Sequence, residues 1–168
     1  SSINGLVANR GNPRDYDAWA REGLPNWSYS HCLKYFKKLE TFSDGPNEWR
    51  GGSGPQSIER CPATHSLYQA FLQSGEQAGY DITKDQNGAR QEGFHVAQSF
   101  TRKGKRCSAA DAYLHPIRDR DNLTILTHTL TQRILFDDRR AVGIEAQTRE
   151  HSRCYEAARE VILSAGAI

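Results

Sequence analysis

Apolar positions recur along this chain with two different periods, and the change from one to the other divides it. Residues 1–12 are small and polar and include Gly5 and Gly11, which reads as a loop that passes close to a neighbour. Pro13 suits a first helical position, and Asp15, Asp17 and Glu22 flank a short helix that Gly23 ends. Ser28 caps a second helix, whose Cys32, Leu33, Phe36 and Leu39 fall at the spacing of one buried face. Gly, Pro, Asn and Ser from Ser43 to Pro55 predict an irregular connection. A third helix over 65–78 carries Leu67, Ala70, Phe71 and Ala78 on one side and meets a stop signal at Gly79.

The second half alternates instead. Phe94, Val96, Gln98 and Phe100 follow the two-residue period of a strand, closed by a turn at Lys103-Gly104-Lys105. Ser108 with Asp111 has the spacing of a capping box and opens a helix to about Arg118. Three strand-like stretches then follow, Leu123–His128, Leu130–Phe136 and Ala141–Thr148, with a polar hairpin turn at 137–140. A last strand from Arg153 to Ser164 contains Val161-Ile162-Leu163, an uninterrupted apolar triplet of the kind buried on both faces of a parallel sheet. Helices therefore come first, and a β-meander returns to a buried strand.

Composition narrows the function classes. With 22 Lys+Arg against 20 Asp+Glu the net charge is +2, too balanced for the field that carries nonspecific nucleic-acid binding. No apolar run approaches the roughly 20 residues that span a bilayer. At 37% hydrophobic and 25% charged the chain is polar but foldable. Cys32, Cys61, Cys107 and Cys154 form no C-x-x-C pair, so structural zinc has little support, and reduced, buried thiols in a reducing interior are expected. The 168 residues contain no methionine, which fits a processed or excised piece of a longer chain.

The residues taken singly nominate no catalytic centre. The basic run 102–106 reads as a solvated hairpin tip, and no two of the six histidines are spaced i, i+4 for a helical metal site. There is no G-x-S-x-G elbow, no Walker loop and no G-x-G-x-x-G after a buried strand.

The N-terminal loop is more specific. Ser1-Ser2-Ile3-Asn4-Gly5-Leu6-Val7, then Arg10-Gly11-Asn12 and Asp15-Tyr16-Asp17-Ala18-Trp19, resembles the glucose–methanol–choline (GMC) flavoprotein oxidoreductases. The likeness continues through Asn26-Trp27-Ser28-Tyr29, Gln91-Glu92-Gly93-Phe94, Ser108-Ala109-Ala110, Asn122-Leu123-Thr124, Arg133-Ile134-Leu135-Phe136 and Arg140-Ala141-Val142-Gly143. It ends at Glu160 to Ile168, so it covers nearly the whole chain in family order. Within the family the likeness is to choline dehydrogenases and related bacterial alcohol dehydrogenases.

The resemblance implies an α+β chain, a fragment of an FAD/NAD(P)-binding α/β domain plus part of an antiparallel-sheet substrate domain. Residues 1–13 would be the flavin-covering loop, 14–50 a helical connection, 51–106 part of the substrate-binding domain, and 107–168 the meander and returning strand of the FAD domain. It implies FAD as cofactor and oxidation of a small-molecule primary alcohol, choline-like, by hydride transfer to flavin N5. Ser2, Asn4, Gly5, Leu6 and Val7 match the family's flavin-contacting stretch. Leu130, where the family usually has Val, matches the position whose backbone faces the adenine, and Ala165 and Gly166 match the small-residue turn beside the cofactor. The family's dinucleotide fingerprint and its catalytic His do not occur within these residues, so no catalytic residue is assigned and the chain alone is expected to be inactive. The resemblance also implies a cytoplasmic protein without nucleic-acid partners, with peripheral membrane or electron-acceptor contact and a dimer allowed. An alternative reading is a non-catalytic binding or oligomerisation module derived from the same fold.

Overall fold

The computed structural model describes residues 4–166, which fall into two compact units divided between Ile117 and Arg118. In the first unit, helix α1 spans Pro13–Arg21. Asn12 caps it by accepting from the Arg14 amide at 2.9 Å, Pro13 occupies the first turn where no N–H is needed, and Gly23 follows the end with φ +100°. Helix α2, Tyr29–Leu39, begins at the expected Ser28 cap, after a short 3-10 turn over Pro25–Trp27. Asp17 accepts from the Tyr29 amide at 2.9 Å and so ties the two helices, while the Tyr16 ring meets Phe36 edge-on at 5.8 Å. Cys32 is buried and Leu33 and Phe36 are half-buried as the spacing requires, but Leu39 is exposed, because the chain leaves the helix there and turns into a strand.

Strand β1, Glu40–Phe42, pairs in parallel with β2, Gln56–Arg60, which pairs antiparallel with β3, Gln98–Ser99. The register places Glu40 beside Gln56 and Phe42 beside Ile58. Ala8, Phe42 and Ile58 form the apolar centre, with Phe100 against it. The loop between β1 and β2 is irregular, as its composition predicts. Its Gly54 is buried against the Leu39–Glu40 peptide and donates its N–H to the Glu40 carbonyl at 2.9 Å.

Helix α3 covers Ser66–Gln77, with the His65 ring as its cap and Gly79 at φ +85° as its stop. The expected apolar side packs only in part, through Phe71 against the Phe94 ring at 5.2 Å. Leu67 is 72% and Phe71 60% exposed, whereas Tyr68, Leu72 and the buried Gly75 face the protein. A Cβ at Gly75 would lie 2.7 Å from the Phe94 ring, so the missing side chain makes the contact, which a search for large apolar residues overlooks. The strand expected over 94–100 pairs in the sheet only at β3. Strands β4, Thr101–Arg102, and β5, Lys105–Arg106, form a hairpin whose two turn residues, Lys103 and Gly104, have φ +52° and +73°. The Ser108–Asp111 box is present, with the Ser108 hydroxyl donating to Asp111 at 2.6 Å and the Asp111 amide donating back at 3.1 Å. The helix it opens is one π turn, Ala110–Leu114, and one 3-10 turn, His115–Ile117; Pro116, which has no N–H to donate, stops a regular ladder.

The second unit is an antiparallel meander of β6, Leu130–Asp137, β7, Arg140–Gln147, and β8, Ser152–Glu156. Asp137 pairs with Arg140 across the expected hairpin turn. One expected strand does not form and another stops short. Residues 123–128 form no ladder, His128 having φ +54°, and the last strand ends at Glu156, leaving Ile162 and Leu163 at 78% and 72% exposure. A strand exists only where its N–H and C=O groups meet another, and among the described residues neither 123–128 nor 161–164 pairs with a strand. Mixed helices and antiparallel-rich sheets make the chain α+β.

Candidate functional site

The N-terminal loop is built onto the first sheet as an irregular extra strand. Val7 bridges Ser99 antiparallel; Phe100 N–H donates to the Leu6 carbonyl at 2.8 Å and Ala8 N–H to the Gln98 carbonyl at 2.9 Å. These bonds bracket Val7 rather than include it, so its own N–H and C=O turn away from that strand. Val7 is 61% exposed, and nothing lies within 4 Å of a Cβ placed at Gly5. Leu6 adopts φ +67°, a conformation a branched side chain rarely takes. It is held by the Asn4 side chain, whose Oδ1 accepts from the Leu6 amide at 2.9 Å and from Arg106 Nη1 at 3.0 Å. Asn4, Leu6, Phe100, Arg106, Cys107 and Ser108 line a cleft of about 160 Å³.

Below the loop lies a cluster of buried charges. Glu40, 2% exposed, accepts from Arg50 Nε at 2.7 Å, Arg10 Nη2 at 2.8 Å and the Gly51 amide at 2.9 Å. Arg50, fully buried, also donates through Nη1 to Asp85 and to Gln98, each at 2.8 Å, and its guanidinium lies 3.6 Å from the Phe42 ring centroid. Two guanidiniums thus face two carboxylates, and the group is formally neutral, the condition under which charges tolerate burial. Asn87 and Gln98 complete the network from β3 and the turn before it. Arg10 is the loop's own contribution, and the network anchors the C-terminal end of the loop.

At the edge of the cleft, hydrogen bonds from the Ser108 hydroxyl and amide hold the Asp111 carboxyl below the usual carboxylate range. Burial, with the neighbouring Cys107, raises the Tyr113 phenol. Glu59 is lowered by bonds from Thr101 and from the Lys103 amide. A second concavity of the first unit, about 660 Å³, is walled by rings of α1, α2 and the 3-10 turn between them, among them Trp19, Trp27 and Tyr35.

The site residues named from sequence fall into two groups. Asn4, Gly5, Leu6 and Val7 are contiguous in the loop just described, and Ser2 lies outside the described residues. Leu130, Ala165 and Gly166 belong to the second unit. Leu130 opens β6 opposite Gln147 and is 69% exposed; Ala165 lines a cleft of about 500 Å³ with β6 residues 131–134 and segment 161–164. Gly166 has φ +98°, which its lack of a Cβ permits. Among the described residues no group of His, Cys, Asp and Glu could hold a metal ion, and no helix is long and apolar enough to cross a membrane. All four cysteines are free; Cys32 and Cys107 are buried as expected, but Cys154 is exposed on β8.

Sequence reasoning passed over Glu40, Arg50, Asp85, Asn87 and the amide of Gln98. A signal did exist. In three places a polar residue stands two positions before an apolar one, as Glu40/Phe42, Gln56/Ile58 and Gln98/Phe100, which puts polar groups on the same face as the core.

The first unit thus sets an exposed loop main chain beside a buried polar network in an α+β chain. The GMC oxidoreductase family model matches residues 1–168, and the chain belongs to that family. It is 47% identical over 169 residues to the mitochondrial choline dehydrogenase of Mus musculus, covering 100% of this chain and 28% of that protein. To the oxygen-dependent choline dehydrogenase of Staphylococcus aureus (strain MSSA476) it is 46% identical over 170 residues, covering 99% and 30%. Among solved structures, pyridoxine 4-oxidase from Mesorbium loti superposes with a TM-score of 0.84 at 27% identity, over 92% of this chain and 31% of that one. An FAD-dependent oxidoreductase from Chaetomium thermophilum gives 0.83 at 25% identity, over 94% and 30%. The chain therefore spans less than a third of the length of these relatives. Family and structural neighbours together support FAD as the cofactor.

Proposed function

We propose that this chain contributes the flavin-facing loop, part of the substrate domain and part of the FAD domain to an FAD-dependent dehydrogenase of choline-like primary alcohols. The observation that carries the reading is the main chain of Val7, turned away from its own sheet at an exposed position, next to the unobstructed Gly5. The donor set fits the group: peptide N–H and C=O groups and the Asn4 amide suit the polar edge of an isoalloxazine, and a glycine backbone suits its flat face. When bound, FAD supplies the acceptor for the carbinol hydride at its N5. In this reading Asn4, Gly5, Leu6 and Val7, with Ser2 ahead of them, orient the ring system and exclude water from one side of it. Leu130 offers its backbone to the adenine, and Ala165 and Gly166 leave room beside the cofactor. The divisions at 1–13, 14–50, 51–106 and 107–168 follow from the same reading, and no general base is assigned among these residues.

The test is the complete translated gene product. It should purify yellow, and stripped protein should regain flavin absorbance on titration with FAD. Gly5→Val should weaken FAD binding about tenfold or more by intruding on the ring, with the melting temperature unchanged. Choline and other primary alcohols should bleach the flavin anaerobically. A folded protein that never takes up FAD overturns the proposal; one that binds FAD but is not reduced by any primary alcohol overturns the substrate class alone.

A further inference from the structure

The antiparallel ladder between the loop and residues 98–100 stops at Ala8, and a side chain takes its place. Asn87, 2% exposed, accepts at Oδ1 from the Arg10 amide at 2.8 Å. Its Nδ2 donates to the Ala8 carbonyl at 2.9 Å and to Gln98 Oε1 at 3.0 Å. A primary amide presents one C=O and one N–H much as a peptide group does, so Asn87 acts on residues 8–10 as the next residue of a neighbouring strand would. Its own backbone is fixed on both sides: its N–H donates to Asp85 Oδ1 at 3.0 Å and its carbonyl accepts from Arg10 Nη1 at 3.1 Å. Every polar atom of the side chain is thereby engaged, and two of its three bonds go to the loop's main chain.

We propose that Asn87 is the positioning residue of the flavin-facing loop, fixing from 79 residues away the direction in which the main chain of residues 4–7 is offered. The assignment of flavin to that face rests on the proposed function above. Asn87→Asp keeps the shape but replaces the Nδ2 donor by an acceptor. It leaves the Ala8 carbonyl and Gln98 Oε1 facing an oxygen and adds a carboxylate beside Asp85. Asn87→Ser removes the same bonds without adding charge, and separates loss of positioning from charge repulsion.

Both variants are made in the complete gene product and followed by hydrogen exchange with mass spectrometry, by FAD titration and by visible circular dichroism of the flavin. The expected result is exchange about tenfold or more faster at residues 6–10, with β1 and β2 unchanged. The FAD dissociation constant rises about tenfold, and the flavin dichroism changes in form. Unchanged exchange at 6–10 overturns the proposal, as does faster exchange spread evenly through β1 and β2, which marks a merely structural role. Faster exchange confined to 6–10 with FAD affinity and dichroism unaltered also overturns it. A wild-type protein that protects residues 6–10 but binds no FAD refutes the flavin reading instead, and is distinguished from these by its own control.

Discussion

Replacing Glu40 by Gln removes one charge from a cluster that holds two of each sign. The glutamate is 2% exposed and accepts from Arg10, from two nitrogens of Arg50 and from the Gly51 amide, at 2.7 to 3.2 Å. The glutamine oxygen can keep some of these bonds, but its NH2 group faces a guanidinium, and the fully buried Arg50 is left in a cluster with net charge +1. Breaking a buried pair from one side costs about 3–5 kcal/mol, against about 0–1 for an exposed pair. The lower part of the buried range, about 3 kcal/mol, is expected because some hydrogen bonds survive; for a chain of this size it lowers the melting temperature by roughly 6–12 °C. All three tryptophans, Trp19, Trp27 and Trp49, lie in the first unit, so urea denaturation followed by tryptophan fluorescence of this chain reads that unit selectively. Glu40→Met/Arg50→Met removes one charge of each sign and leaves Arg10 with Asp85, so its cost should fall short of the sum of the single changes by about 1–3 kcal/mol. A Glu40→Gln loss below about 1 kcal/mol, or additivity within about 0.5 kcal/mol, would show that the cluster does not work as a buried, coupled unit.

Two further outcomes follow from the same structure. Gly54→Ala places a methyl group on the Leu39–Glu40 peptide where backbone cannot yield, and should cost about 1–3 kcal/mol or more in a urea titration; a neutral result would mean that β1 and its loop are spaced more widely than described. Asp111, held below its ordinary value of 3.8 mainly by the Ser108 hydroxyl, contributes stability that is complete above that value and is lost as pH falls through the lower folded one. Ser108→Ala should therefore shrink the difference in urea midpoint between neutral and strongly acidic solution, and an unchanged pH profile would deny the box that role.

Local chemistry was legible along the chain wherever neighbours in sequence decide the outcome. The Pro13 start of α1, the Ser28 cap of α2, the Gly79 stop, the 103–105 and 137–140 turns and the Ser108–Asp111 box need only a few adjacent residues, and each appears where the sequence places it. The loop 4–7 was likewise marked, through its resemblance to one family. Where two distant segments must meet, the pattern misled. Leu67 points outward while Gly75 receives Phe94, and Val161-Ile162-Leu163 has the apolar character of a strand without pairing to one.

By itself the sequence determined the helices, their caps and stops and the hairpin turns, because these are short-range matters of backbone geometry, and its likeness to one family marked the α+β class and the loop 4–7. The strands β1 and β2 between α2 and α3 were not marked. Only the tertiary structure decided that Arg10, Glu40, Arg50, Asp85, Asn87 and Gln98 form one buried network beneath that loop. Nothing local favours a buried Arg50; its burial is tolerable only because folding brings carboxylates from positions 40 and 85 within 2.8 Å of it. Charge compensation across 35 residues is a property of the assembled fold, and no window of sequence contains it.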